Sequence, residues 1–185
     1  MGNDSRRKAA VRRRLEIRSK SPVPPALCNP PRFVADVMLG RLTKWLRIAG
    51  FDVLYSNRYT DDELVAVSLQ DGRILLSRDT RLLIRKAVRQ FIFLESEKID
   101  DQIRQIFRTM QTTTLPDLLG RCVSCNNILS EAPRDKVRGS VPSYVYETQA
   151  CFKSCPQCRK VYWAGTHRQF IIRTLEQLAL EGKKL

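Results

Sequence analysis

A single histidine, His167, is all the imidazole in the chain. A phosphodiester-cleaving scheme that uses two imidazoles as acid and base is therefore excluded. Also missing are any apolar run near the ~18 residues a spanning helix needs and any apolar core for a secretory signal. Acidic residues are the scarce charge: 19 Asp and Glu face 33 Lys and Arg, for a formal net charge of +14 and a sequence pI near 10.0. A surface so positive attracts polyanions, which puts nucleic acid first among partners and an acidic membrane surface second. Nothing in the sequence reads a 2′-hydroxyl, so charge alone does not choose between RNA and DNA.

Much of the positive excess sits early, where nine Lys and Arg from Arg6 to Arg32 face only Asp4 and Glu16. Ser21-Pro-Val-Pro-Pro25 and Pro30-Pro31 deny this segment regular hydrogen bonding, so residues 1–31 read as a flexible basic arm. A cytoplasmic location is expected, with organelle targeting by the arm as the alternative.

Cysteine is present in a pattern. Cys122-Val-Ser-Cys125 and Cys155-Pro-Gln-Cys158 are two CxxC knuckles separated by 29 residues, the spacing of a zinc ribbon. Four thiolates fill every position of a tetrahedral Zn²⁺, so the ion is expected to hold a fold and not to do chemistry. Cys28 and Cys151 have no evident partner. Around the knuckles, Tyr144-Val-Tyr146 and Val161-Tyr-Trp163 alternate like strands, and Trp163 is expected in the ribbon core. Phe170, Ile171, Leu175 and Leu178 predict a closing amphipathic helix.

From Arg32 the pattern alternates short apolar runs with helical periodicity, the signature of an α/β fold with a mainly parallel four-stranded sheet flanked by helices. The strands are Phe33–Ala35, Asp52–Tyr55, Arg73–Ser77 and Phe91–Leu94; the helices run over 37–49, from Thr60, over 80–88 and over 100–110. Thr60 and Glu63 match a capping box. Thr112-Thr-Thr-Leu-Pro116 breaks the periodicity and predicts a boundary near 115, giving a 32–114 domain and a 115–185 ribbon with its closing helix.

Three acidic motifs follow a strand or open a helix: Asp36, Asp61-Asp62 and Asp79. In an open α/β sheet the carboxyl ends of the strands share one crevice, so these residues are expected at one rim. Gathered carboxylates repel one another, and Mg²⁺ or Mn²⁺ with oxygen ligands relieves the repulsion. Each Asp taken alone is better explained as a helix cap or first-turn residue, and it is the three at one edge that point to a cation. Arg41, Lys44, Arg47 and Arg78 lie close to this edge and would bind phosphate; Lys153, Arg159 and Lys160 would do so on the ribbon.

The stretch Phe33-Val-Ala-Asp-Val-Met-Leu-Gly-Arg-Leu-Thr-Lys-Trp-Leu-Arg-Ile-Ala-Gly-Phe-Asp52, then Leu75-Leu-Ser-Arg-Asp79, the two knuckles and Tyr162-Trp-Ala-Gly-Thr-His167 together resemble the Mut7-C RNase domain family. The resemblance implies a compact PIN-like nuclease domain followed by a zinc ribbon, with Asp36, Asp62 and Asp79 as catalytic acids around one or two Mg²⁺ or Mn²⁺ ions. Asp61 is an extra carboxylate, with Arg41, Lys44 and Arg78 in support, and the fourth acid that PIN nucleases often carry has no counterpart here. The expected activity is metal-dependent endoribonucleolytic hydrolysis. The competing readings are a noncatalytic RNA-binding or assembly module with a vestigial acidic site, and a toxin-type ribonuclease.

Overall fold

Strand β1 (Arg32–Ala35) is apolar on both faces because it lies inside the sheet: Phe33, Val34 and Ala35 are wholly buried. With β2 (Asp52–Tyr55), β3 (Ile74–Ser77) and β4 (Phe91–Phe93) it forms a four-stranded sheet of order β2-β1-β3-β4, every pair parallel. Such sheets are covered on both sides, so their strands carry continuous apolar runs. The computed structural model describes residues 9, 30–111, 114–165 and 168–183. The arm expected over 1–31 therefore lies outside the described residues except at 9, 30 and 31, as do Cys28, His167 and the linker positions 112 and 113.

One face of the sheet holds α1 (Gly40–Ile48) and α4 (Ile99–Met110), whose Leu42, Leu46, Ile103, Ile106 and Phe107 meet Phe33, Ala35, Ile74 and Leu76. Phe51 stacks edge-on with Phe33 at 5.6 Å between ring centroids and tilts against Phe107 at 5.9 Å. The opposite face holds α2 (Asp61–Gln70) and the short α3 (Thr80–Leu83), which enclose Val34, Leu75, Phe91 and Phe93 with Leu64, Leu82 and Leu83. The chain leaves β1 outward to β2, then crosses back to β3 on the other side. The order reverses between β1 and β3, and ligands of open α/β sheets bind at the carboxyl ends of the strands at such a point.

Two helices differ from expectation. The one expected over 37–49 begins as a 3₁₀ turn, Val37–Leu39, before α1. Tyr55 lies against Gly40, where a Cβ would come within 2.6 Å of its hydroxyl, and that hydroxyl donates to the Val37 carbonyl at 2.9 Å. The helix expected over 80–88 stops at Leu83 and continues as turns that carry Arg85 toward α2 and return Val88 to the core.

The ribbon is an antiparallel sheet of β5 (Ser130–Ala132), β6 (Phe152–Ser154) and β7 (Val161–Trp163), with α5 (Arg134–Val137) and α6 (Ser143–Thr148) between β5 and β6. Tyr144-Val-Tyr146, expected as a strand, belongs to α6. Val145 is buried against Val137 and Phe152, the half-buried Tyr146 packs beside it and Tyr144 is exposed, a run too short to separate the two periods. Trp163, expected in the ribbon core, is 38% exposed.

The last helix, α7 (Arg168–Lys183), does not close the ribbon as the 115–185 boundary implied. Its Leu175, Leu178 and Ala179 are buried in the same core as α4, and Leu115 and Leu118 pack there too. The first unit thus takes its final layer from the far side of the metal module.

Candidate active site and metal centre

Parallel pairing aligns Ala35 with Leu76, so the residues just after β1 and β3 emerge side by side at the switch point. Asp36 is the first of them, 5% exposed, with its backbone N–H bonded to the Leu76 carbonyl at 3.0 Å. Its side chain caps no helix. The Ser77 hydroxyl donates to Asp36 Oδ2 at 2.5 Å and accepts from the Asp79 backbone N–H at 2.8 Å, linking the two acidic motifs through one side chain. Asp79 is the N-cap of α3, and its Oδ1 accepts from the Arg81 N–H at 2.7 Å. Among the described residues no cation pairs with Asp36 or Asp79, and each keeps one carboxylate oxygen without a protein donor. A buried carboxylate without a counter-charge is costly, so this rim suits a hard cation.

The second acidic motif sits differently. Thr60 and Glu63 form the expected capping box, with Glu63 Oε2 accepting from the Thr60 N–H at 2.7 Å. Backbone and side-chain hydrogen bonds from Thr60 hold the Glu63 carboxyl below its ordinary value. Arg85 then spans Asp61 and Asp62 with contacts of 2.9 and 2.6 Å, and the Asp62 side chain is 93% exposed. Asp62 thus does not join Asp36 and Asp79 in one close cluster: among the described residues, the group of three or more ligating side chains with atoms within 4.8 Å of one another is the four cysteines. Arg85 is a residue that sequence reasoning missed, since nothing in the spacing from 61 to 85 announces the pairing.

Of the expected phosphate ligands near the rim, Arg41 and Lys44 are exposed on α1. Arg78 binds Glu97 at 2.6 Å, while its Nε is buried without a hydrogen-bond partner. Arg47 is not available to RNA. It is 4% exposed, donates through Nε and Nη2 to the Val53 carbonyl at 3.1 and 2.8 Å, and through Nη1 to the carbonyls of Val123 and Ser124 at 3.0 and 2.8 Å. Burial lowers the Arg47 guanidinium below its ordinary value, opposed by the Cys122 and Cys125 thiols and by Asp52.

Arg47 belongs to a buried polar junction joining the ribbon to β2. Asp52 receives Arg73 at 2.7 Å and the Asn126 amide at 2.8 Å, and Arg121 lies 3.9 Å away. Burial raises the Asp52 carboxyl, but the hydrogen bonds from Arg73 and Asn126 outweigh it and leave the group below its ordinary value. Asn126 Oδ1 accepts from the Val53 N–H at 3.0 Å, so both backbone groups of Val53 are taken by side chains. Arg121 completes the junction through the Gly50 and Asn126 carbonyls at 3.1 and 3.0 Å.

The knuckles repeat one backbone pattern. Cys122 N–H bonds to the Asn127 carbonyl and Asn126 N–H returns to Cys122; Cys155 N–H bonds to Lys160 and Arg159 N–H returns to Cys155. The fourth residue after each leading cysteine is left-handed, Asn126 at φ 72 and Arg159 at φ 58, a conformation Asn tolerates better than Arg. Sulfur pairs Cys122–Cys158 and Cys125–Cys155 stand 3.5 and 3.3 Å apart, too far for disulfides of about 2.05 Å. Tetrahedral Zn–S bonds of about 2.3 Å place sulfurs roughly 3.8 Å apart, so the cluster suits zinc. Burial raises the Cys125 thiol, yet hydrogen bonds from Asn127 and from the Cys155 and Cys122 thiols bring it down to about 6. Lys153, Arg159 and Lys160 are exposed on this module, with Lys160 Nζ 2.6 Å from Ser124 Oγ.

No helix among the described residues is long and apolar enough to cross a membrane. Searches of the curated proteins and of the solved structures returned no match. Residues 31–175 match the family described as the Mut7-C RNAse domain, a span that takes in the acidic rim, the junction and both knuckles. The chain belongs to the Mut7-C RNAse domain family, whose name carries a ribonuclease activity with RNA as substrate.

Proposed function

We propose that the chain is a metal-dependent endoribonuclease that hydrolyses RNA phosphodiesters at the rim of Asp36 and Asp79, in RNA processing or turnover. The observation that carries the reading is Asp36, a buried carboxylate at the topological switch point whose one side-chain partner among the described residues is the Ser77 hydroxyl. Two carboxylates with hard oxygen donors match the way Mg²⁺ is held, by one or two acids together with water and substrate phosphate. Such an ion supplies a water of lowered pKa and offsets charge on the phosphoryl oxygens. Ser77 orients Asp36 and, through the Asp79 N–H, keeps the third motif in register with the first. Asp62, which Arg85 holds away from the two acids, contributes no step, and Arg41, Lys44 or Arg78 steadies the flanking phosphate. Cleavage leaves a 5′ phosphate.

The test is to incubate wild type, Asp36→Asn and Asp79→Asn with matched RNA and DNA oligonucleotides in Mn²⁺, Mg²⁺ or chelator. Both variants should keep their fold by circular dichroism and lose at least about 100-fold in rate, equivalent to about 2.7 kcal/mol. Undiminished cleavage by both would sink the assignment. The alternative, a noncatalytic RNA-binding module, draws on Arg85 neutralising Asp61 and Asp62. RNA binding without cleavage in any divalent ion would select it.

A further inference from the structure

Trp163 stands at the wall of two clefts. One, of about 230 Å³, lies between the ribbon and the approach to α7 and includes Phe152, Lys153 and Arg168 in its lining. The other, of about 730 Å³, runs past α6 with Tyr144 and again Arg168. Apolar walls with a few placed polar groups are what ligand clefts have. Among the described residues, the only charged ones lining either cleft are Lys153, Arg168 and Arg121, and no acid does. Arg121 is engaged in the junction with β2. Lys153 and Arg168 are exposed and have no ion-pair partner among the described residues. The indole N–H of Trp163 likewise has no hydrogen-bond partner among the described residues, and the 68% exposed Tyr144 adds a second ring.

A partly exposed indole beside Arg168, which lines both clefts with it, in a small module where apolar residues are otherwise needed inside, fits a ligand that is flat, apolar on its faces and anionic along its length. We propose that Trp163 is the stacking platform for an unpaired base of single-stranded RNA, with Arg168 on the adjoining phosphate; Lys153, paired with Tyr162 on the other face of the sheet, is outside the site. The site rests on the ribonuclease reading only for the choice of polyanion. It is a binding site remote from the acids: the ribbon is joined to Asp52, the first residue of β2, whereas Asp36 follows the Ala35 that pairs with Tyr55 at the other end.

The chain has two tryptophans, so Trp45→Phe leaves Trp163 as the sole indole. Its fluorescence is titrated with a single-stranded RNA oligonucleotide, with the same sequence as a duplex, and with inorganic polyphosphate, in chelator-free buffer without added Mg²⁺ or Mn²⁺ so that zinc is kept and RNA stays intact. The single strand is expected to quench saturably, and the duplex and polyphosphate to bind without quenching. Trp163→Ala should weaken single-strand binding by roughly tenfold or more and Trp163→Phe recover most of it. Arg168→Ala should reduce the slope of log affinity against log salt by about 0.7. Zinc content verifies each fold, and the quenching arm stands without Trp163→Ala. Absent quenching, equal quenching by polyphosphate, or wild-type affinity in a folded Trp163→Ala overturns the proposal. Quenching without any cleavage in divalent ions strikes the ribonuclease reading alone, and cleavage without quenching strikes this site alone.

Discussion

Asp52 has contacts to Arg73, Asn126 and Arg121. Removing it leaves the Arg73 guanidinium, whose side chain is 7% exposed, with only its Asp71 ion pair and the Phe33 carbonyl. Asp52→Ala should therefore cost about 3 kcal/mol in chemical denaturation at neutral pH. The depressed carboxyl of Asp52 also sets a pH dependence. Its contribution is present above the unfolded value of about 3.9 and is lost as pH falls through the lower folded value. Asp52→Asn should lack that acid loss, so the stability difference between wild type and variant should shrink as pH is lowered. A difference that grows toward acid would contradict the linkage. The same residues show what spacing conceals. Arg47 sits on an amphipathic helix and reads as a solvated cation, yet its acceptors Val123 and Ser124 lie 76 and 77 residues away. Asp36 and Asp79 were legible because each follows a strand of a recognisable parallel sheet. Arg85 and Ser77 were not, since their roles come only from the contacts of the folded chain.

At the scale of elements, the strands could be read because burial on both faces leaves no polar position in Phe33–Ala35 or Ile74–Leu76. The buried faces of α1 and α4 followed from their spacing in the same way. Periodicity tells which face of a helix is buried but not against what, and for that reason α7 was assigned to the ribbon although it packs on α4. Leu175 is fully buried there, so Leu175→Ala should destabilise the first unit by about 2–5 kcal/mol while leaving bound zinc unchanged. Equal loss of zinc and of helical signal would place α7 with the ribbon after all. Tyr144-Val-Tyr146 and Trp163 went astray for a related reason: in a module whose core is four cysteines and a few side chains, an aromatic is as easily outside as in.

On the scale of the whole molecule, the acids and the ribbon lie at opposite ends of the sheet. Arg32 pairs with Asp52 at the junction end and Ala35 with Tyr55 at the rim, and four strand residues span roughly 13 Å. An RNA that touches both must cross that length, so cleavage rate per mole should rise steeply with oligonucleotide length and then level off, with cuts at a constant offset from the bound base. A rate independent of length down to dinucleotides would deny the ribbon a part in substrate grip. β2 is a border strand, and its second residue, Val53, presents no free amide or carbonyl because Asn126 and Arg47 cover both. Asn126 is held by Cys122 in the first knuckle, so stripping the ion would unlatch that cover and bare an adhesive edge. Chelated protein should then self-associate into β-rich aggregates before its helices melt, detectable as light scattering that precedes the loss of helical dichroism, and the zinc would serve as a guard against polymerisation as much as a scaffold.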